Sequence, residues 1–312
     1  MEVGMRNNKP SSDSDKSNPI GKFSDATIIK DIPYATQSNA QKLDIYLPAG
    51  GAKPYPVIVW IHPGGFFEGD KSGGGAADPL AMIDMTRLVP PMLARGYAVV
   101  SINYRLSHEA QYPSVIYDAK AAVRWIRANA GKYGFNPDKI ASWGSSAGGY
   151  LSAFLAVSGG VKEDEDLSMG NPEQSSRVVA AVDWYGCTDF LLMDEQTTRL
   201  GIELWEGGHN AATSPESKLM GGQITKLPEK CRAANPVTYV TADHAPIYVQ
   251  HGTIDNIVPY LQSVVLVDKL KAVKGKNEVI FEIIENVGHA DLAFFTLKNI
   301  NKMLDFLAKY LR

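Results

Sequence analysis

The segment "GSSAG", Gly144 to Gly148, places two adjacent serines between glycines. It fits the pattern G-x-S-x-G, in which Ser146 is the central serine and Ser145 the variable residue. In this pattern the glycines permit a sharp turn between a strand and a helix, and the turn exposes the central hydroxyl. The apolar run before the segment and the helical spacing after it fit that context. The sequence therefore predicts that Ser146 is a nucleophile; an ordinary Gly/Ser turn is the simpler alternative.

A nucleophilic serine needs a general base, because its hydroxyl is almost entirely protonated at neutral pH. The chain has six histidines, and His289 in "NVGHADLAFF" is the only one that stands as late as the end of the last predicted strand, before the last predicted helix. Where a G-x-S-x-G turn supplies the nucleophile, the acid and then the histidine follow it along the chain. We therefore expect His289 to be the base, with a surface or helix-capping histidine as the alternative.

The third group must orient the imidazole and stabilise it when it is charged. Asp255 in "QHGTIDNIVP" follows an apolar strand and precedes a predicted helix. Asp189 in "YGCTDF" also follows a strand and is the alternative acid. Asp255 is favoured because its strand is adjacent in order to the one that leads to His289. Asp291 stands where the N-cap of the last helix would lie, so we expect it to be a cap.

The carbonyl oxygen of an attacked ester becomes negatively charged, and losing one fixed N–H donor to it typically costs about 3 kcal/mol. The N–H of Ala147, at the start of a predicted helix, is one expected donor. The segment "IHPGGFFEGD" supplies others after a buried strand. Because Pro63 has no N–H, only Gly64 and Gly65 can donate there. We predict an oxyanion hole from these N–H groups.

Strands and helices alternate along most of the chain, which predicts the α/β class with a mostly parallel sheet and helices on both faces. The predicted strands of that sheet are "PVIVWIH", "YAVVSINY", "KIASWG", "RVVAAVDWYG", "APIYVQHGT" and "EVIFEIIENVGH". Ahead of them, "TIIKDIPYA" and "QKLDIYLPA" predict an antiparallel hairpin. An active crevice in such a sheet lies beyond the carboxyl ends of the strands, where the candidate residues stand.

The composition argues against a nucleic-acid-binding protein and against a membrane-spanning protein. The 312 residues carry a net charge of −3, so no nucleic acid partner is expected, and no apolar run reaches the roughly 20 residues of a membrane span. Residues 1–25 predict a disordered polar leader, and 26–312 a single domain with a small irregular cap-like insertion at about 190–240. Cys187 and Cys231 have no metal-ligand spacing, and two buried thiols are favoured over a disulfide.

From about Lys42 onward the chain resembles the α/β-hydrolase superfamily, through "HPGGFFEGDK", "SINYRL", "GSSAGG", "SPESKL", "HGTIDNIVP" and "GHA". More closely, it resembles the hormone-sensitive-lipase-like and bacterial feruloyl or acetyl-xylan esterase-like carboxylesterases. The resemblance implies the α/β-hydrolase fold. It also implies the same nucleophile, acid, base and oxyanion donors: Ser146, Asp255, His289, Gly64, Gly65 and Ala147. Pro63 is a departure, because the lipase-like relatives usually have glycine there.

We expect a serine carboxylesterase that hydrolyses short-acyl or plant-polysaccharide-type (acetyl, feruloyl) esters through an acyl-enzyme, with no metal or cofactor. Its partner would be a small-molecule or carbohydrate-linked ester. A serine peptidase on the same fold and a non-catalytic binding module are the alternatives.

Four aromatic residues are candidates for a substrate pocket, although aromatic side chains more often belong to a core: Phe66, Trp184, Tyr185 and Trp205. Phe190 and Leu191 are further candidates for the same pocket. The polar leader favours a cytoplasmic protein, whereas the resemblance to xylan esterases would permit export with a signal removed.

Overall fold

One sheet of eight strands runs through the part of the chain that the computed structural model describes, residues 26–73, 85–204, 207–273, 275 and 277–312. The strands are β1 (Thr27–Pro33), β2 (Lys42–Leu47), β3 (Tyr55–Ile61), β4 (Ala98–Ile102), β5 (Phe135–Ser145), β6 (Ala181–Trp184), β7 (Ile247–Gly252) and β8 (Val279–Ile284). Their spatial order is β1-β2-β4-β3-β5-β6-β7-β8. β2 is antiparallel to β1 and β4, and the other pairings are parallel. The predicted hairpin and mostly parallel sheet are confirmed.

Helices connect the parallel strands. The described helices are α1 (Met85–Ala94), α2 (Ser114–Ala128), α3 (Ala130–Tyr133), α4 (Ala147–Ser158), α5 (Met193–Arg199), α6 (Pro215–Met220), α7 (Pro228–Ala233), α8 (Leu261–Ala272) and α9 (Leu297–Leu311). A separate 3₁₀ turn, Leu292–Phe295, precedes α9, so the last helix starts later than its apolar pattern predicts.

Both faces of the sheet are buried, which explains why its strands read as continuous apolar runs. Along β3, Val57 and Val59 belong to the core that includes residues of α2 and α4. Ile58 and Trp60 belong to the core that includes residues of α1 and α9. Since successive side chains of a strand point to opposite faces, helices must cover both sides. The predicted α/β architecture is confirmed.

The segment between β6 and β7 contains three short helices, α5 to α7, where the sequence indicates largely irregular chain. These helices have seven, six and six residues, too few for a 3.6-residue periodicity to appear. The single domain 26–312 and its cap-like insertion at 190–240 remain predictions, and the predicted leader, 1–25, lies outside the described residues. Cys187 and Cys231 are free and buried, as expected.

Candidate active site

Ser146 occupies the corner between β5 and α4, in a backbone conformation that non-glycine residues rarely adopt. Its φ is 53° and its ψ is −122°, and a residue held in such a region costs about 1–3 kcal/mol. Two hydrogen bonds hold it there. The Ser146 N–H donates to the carbonyl of Trp184 at 2.8 Å, and its carbonyl accepts from the N–H of Tyr150 at 2.9 Å. The strand–turn–helix context that the sequence predicts is therefore present.

Two glycines of the pattern allow this corner to pack closely. A Cβ placed on Gly148 would lie 2.0 Å from the carbonyl oxygen of Ile61, and one on Gly144 would lie 2.1 Å from the carbonyl oxygen of Gly148. Neither clash is tolerable, because both partners are backbone atoms. The close approach places the first turn of α4 against the end of β3. The loop that follows β3 therefore also lies next to this turn.

Ser146, His289 and Asp255 form one hydrogen-bonded relay, although they are far apart in the sequence. Ser146 Oγ lies 3.0 Å from His289 Nε2, and His289 Nδ1 lies 2.7 Å from Asp255 Oδ2. An ionised carboxylate can only accept, so we assign the ring proton to Nδ1. Nε2 then presents its lone pair to the serine hydroxyl. This is the arrangement in which a histidine can remove a proton from a serine.

Asp255 is buried, and four donors surround its carboxylate. Oδ1 accepts from the N–H groups of Ile257 at 2.9 Å and Val258 at 2.8 Å, while Oδ2 faces His289 and also His251. Burial alone would raise the pKa of Asp255. The electrostatic attraction between Asp255 and His289 and the hydrogen bonds from both histidines outweigh burial and hold that pKa below its ordinary value. Asp255 is therefore ionised at neutral pH, where a histidine can act as a general base.

The other two aspartates considered from the sequence have different partners. Asp189 accepts from the side-chain amide of Asn235 at 3.0 Å and from the N–H of Leu191 at 3.1 Å. Asp291 accepts from the N–H of Ala293 at 2.8 Å and caps the 3₁₀ turn before α9. Asp291 is thus a cap, as expected, but of the 3₁₀ turn and not of the last helix, whose N-cap is Thr296. The structure brings neither aspartate into the relay.

The glycine loop after β3 is a tight turn. Gly64 and Gly65 have φ values of 115° and 54°, and the Gly64 carbonyl accepts from the N–H groups of Phe67 and Glu68 at 3.0 and 3.1 Å. Among the described residues, the N–H groups of Gly64 and Gly65 have no backbone acceptor. Ala147 begins α4. These donors stand at the carboxyl ends of β3 and β5, and their oxyanion role remains a prediction.

His62 anchors the start of this loop. Its ring stacks on Tyr104 with centroids 4.3 Å apart, and its Nδ1 contacts the carbonyl of Pro63 at 2.6 Å. Burial lowers the pKa of His62 to about 4, so the ring is uncharged at neutral pH and Nδ1 donates to that carbonyl. The sequence identifies His62 only as the beginning of "HPGG", because the stacking partner lies on another segment.

The predicted substrate-binding aromatics are mostly core residues. Phe66 is 1% exposed and packs edge-on against Tyr150 and Phe190, and Trp184 is buried in the core that includes α1 and α9. Tyr185 is also buried, but its ring centroid lies 4.8 Å from that of His289. Trp205 lies outside the described residues.

Phe67 is an aromatic residue beside the site that the sequence does not single out. It is 38% exposed, and a Cβ placed on Gly65 would lie 2.9 Å from its ring. Phe66 lies within the turn after β3 and has a positive φ of 67°. Phe66 packs into the core, whereas Phe67 stays at the surface next to the glycine loop. Lys218 of α6 places its ammonium 5.5 Å from the centre of the Phe67 ring.

Within the described ranges, no group of three or more histidine, cysteine or acidic residues is arranged to hold a metal ion. None of the described helices combines the length and apolar character needed to cross a bilayer.

Comparison with known proteins identifies similar sequences. A family model described as BD-FAE matches residues 43–270, which is more than half of the chain. The "Probable carboxylic ester hydrolase LipM" of Mycobacterium tuberculosis (strain ATCC 25618 / H37Rv) is 33% identical over 264 residues, covering 83% of this chain and 55% of LipM. The esterase LipQ of the same strain is 30% identical over 266 residues, covering 84% of this chain and 57% of LipQ. The chain thus spans about half the length of the curated relatives it matches.

A solved structure is similar over nearly its whole length. The "Truncated form of carbohydrate esterase from gut microbiota" has a TM-score of 0.79 and 31% identity, and the match covers 93% of this chain and 98% of that one. Together with the strand order, this similarity confirms the α/β-hydrolase fold.

Proposed function

Because this chain belongs to the BD-FAE family, we propose that it is a serine carboxylesterase acting on short-acyl or plant-polysaccharide-type esters, such as acetyl and feruloyl esters. The observation that carries the proposal is the relay of Ser146, His289 and Asp255, with contacts of 3.0 and 2.7 Å. It lies at the carboxyl ends of parallel strands, where this type of sheet holds its active crevice.

In the first half-reaction, Ser146 Oγ forms a bond to the carbonyl carbon while His289 Nε2 takes the hydroxyl proton. Asp255 remains ionised and stabilises the imidazolium. When the carbonyl re-forms, the bond from carbon to the alcohol oxygen breaks, and His289 gives its proton to the departing alcohol. The acyl group is then bound to Ser146 as an ester.

In the second half-reaction, water attacks the acyl carbon and His289 takes a proton from that water. Collapse of this intermediate breaks the bond to Ser146 Oγ, which recovers the proton, and the acid leaves. Both steps pass through a tetrahedral oxyanion. The N–H groups of Gly64, Gly65 and Ala147 are fixed before substrate arrives, so they can stabilise it without reorganisation.

The nucleophile is tested by Ser146→Ala, with Ser145→Ala as the matched control. Ser145 is adjacent and buried but has no role in the mechanism. We expect Ser146→Ala to lower kcat on p-nitrophenyl acetate by at least about 10⁴-fold and to abolish labelling by a fluorophosphonate probe, whereas Ser145→Ala keeps most of the activity. Full activity in Ser146→Ala would exclude the mechanism.

The substrate class is supported by the 31% identity to a structure titled a carbohydrate esterase. The exposed ring of Phe67 beside Gly65 adds an apolar surface next to the expected position of the carbonyl. We expect kcat/KM to be higher for acetylated xylo-oligosaccharides and methyl ferulate than for long-chain p-nitrophenyl esters. Phe67→Ala should raise KM for methyl ferulate more than for p-nitrophenyl acetate. A preference for long acyl chains would contradict this part of the proposal.

A further inference from the structure

His251 is a buried histidine that the proposed reaction does not use, yet it contacts the acid. It lies on β7 and is completely buried. Its Nε2 lies 3.2 Å from Asp255 Oδ2 and 2.8 Å from the carbonyl oxygen of Val258. Its Nδ1 lies 2.7 Å from the hydroxyl of Ser263 on α8. One ring therefore connects a strand, the loop that carries the acid, and a helix.

The carbonyl of Val258 fixes where the ring proton of His251 lies. A carbonyl oxygen only accepts, so Nε2 must carry a hydrogen, and that hydrogen is shared between Val258 and the carboxylate of Asp255. Nδ1 is then free to accept from the Ser263 hydroxyl. In this tautomer both ring nitrogens are satisfied, which a buried polar side chain requires.

The hydrogen bonds of His251, Val258 and Asp255 form a closed network around the carboxylate. The N–H of Val258 donates to Asp255 Oδ1, while the carbonyl of the same residue is held by His251. The second carboxylate oxygen, Oδ2, receives both His251 and His289. His251 therefore holds the acid directly, and it also holds the turn whose backbone orients that acid.

We infer that His251 is a positioning residue: it fixes the carboxylate of Asp255 and the turn from Asp255 to Val258, so that His289 stays aligned with Ser146. This inference rests on the proposed function. A displacement of about 1 Å within a catalytic constellation can cost roughly 100-fold in rate. A supporting contact of this kind acts mainly on kcat, because His251 does not reach the substrate.

Other groups also face the His251 ring and must be considered in a pH experiment. The ring of Tyr185 lies 6.5 Å away, centroid to centroid, and the buried carboxyl of Asp183 on β6 interacts with His251 electrostatically. If the donor on Nε2 is lost, Asp255 becomes a stronger acceptor for the charged form of His289. The acid limb of the kcat/KM profile should then move to higher pH.

Two substitutions of His251 distinguish the role of ring nitrogen Nε2 from that of Nδ1. The side-chain amide of His251→Gln reaches the position of Nε2, whereas that of His251→Asn reaches only the position of Nδ1. On p-nitrophenyl acetate, with active sites counted by fluorophosphonate labelling, we expect His251→Asn to lower kcat roughly 10- to 100-fold with little change in KM. Its acid limb should move upward. His251→Gln should restore most of the loss. His244→Gln is the matched control, because His244 is also a buried histidine, its ring nitrogen Nδ1 contacts the adjacent carbonyl of Ala245, and it has no part in the relay.

Ser263→Ala gives a second measurement, because it removes the partner of Nδ1 and leaves the ring in place. We expect a severalfold loss of kcat and the same direction of shift. A folded Asn or Ser263→Ala variant with wild-type kcat and an unchanged pH profile would overturn the inference, as would equal losses in the Asn and Gln variants. The proposed function fails separately, through an active Ser146→Ala variant.

Discussion

Two buried aspartates at the residue scale show how local donors decide the state of a carboxyl group. Burial would raise the pKa of Asp255, but the electrostatic attraction of His289 and the hydrogen bonds from His251 and His289 outweigh it and hold that pKa below the ordinary range. Asp183 on β6 has one donor to Oδ1, the N–H of Gly186 at 2.9 Å, and its Oδ2 has no partner in the described part of the chain. Burial therefore dominates and raises the pKa of Asp183 to about 6.

This difference predicts a pH-dependent effect of Asp183→Asn. Because the folded-state pKa of about 6 exceeds the ordinary value of 3.8, the folded protein holds this proton more tightly than the unfolded chain. That contribution is complete below about pH 4 and is lost as the pH rises to about 6. We expect Asp183→Asn to raise the free energy of unfolding by roughly 2–3 kcal/mol at pH 8 and to change it little at pH 4.

Urea unfolding at both pH values provides the measurement. Asp243→Asn, which alters an exposed carboxylate, is the control and should change neither value. An Asp183→Asn protein no more stable than wild type at pH 8 would show that the carboxylate is better solvated than its surroundings indicate.

The packing of β3, β5 and α4 decides the position of the nucleophile at the element scale. We expect Gly148→Ala to lower the free energy of unfolding by about 3 kcal/mol, since its Cβ would lie 2.0 Å from the Ile61 carbonyl oxygen. The residual folded protein should also lose activity, because α4 must move away from β3. Circular dichroism in urea and active-site labelling measure the two effects.

Gly131 in α3 provides a matched control for the added methyl group. A Cβ at that position has nothing within 4 Å, so Gly131→Ala should be stabilising by about 0.5–1 kcal/mol. If Gly148→Ala were equally harmless, the close contact between α4 and β3 would not be what fixes the corner.

Structural features that follow from residues close together in the sequence are predictable from it. Features that depend on contacts between distant residues are not. The turn at Ser146, the hairpin and the parallel strands follow from glycine spacing and apolar runs of ordinary length. The orientation of Phe66 and Phe67 depends on the turn that contains them, including the positive φ of 67° at Phe66, which no residue pattern specifies. The contact between His251 and Asp255 cannot be predicted from the sequence either, because it requires a turn that brings the chain back to the end of β7. The pairing of His289 with Ser146 was predicted only through chain order.

The position of β8 matters for the whole molecule. It is the last strand of the sheet and pairs only with β7 among the described strands, and the loop after it carries His289. Strands at an edge open more readily than central ones. We expect esterase activity to be lost at a lower temperature than the tryptophan fluorescence of the core, where Trp60, Trp143 and Trp184 pack together. Coincident transitions in the two measurements would contradict this expectation.

Ser146 and His289 lie 143 positions apart in the sequence, and this separation bears on biosynthesis. During synthesis Ser146 emerges from the ribosome long before His289, the residue proposed to activate it. A truncated product or proteolytic fragment that ends ahead of position 289 would retain the corner at Ser146 and yet lack its proposed base. We therefore expect the growing polypeptide to be inactive towards esters until the segment containing His289 has emerged and docked.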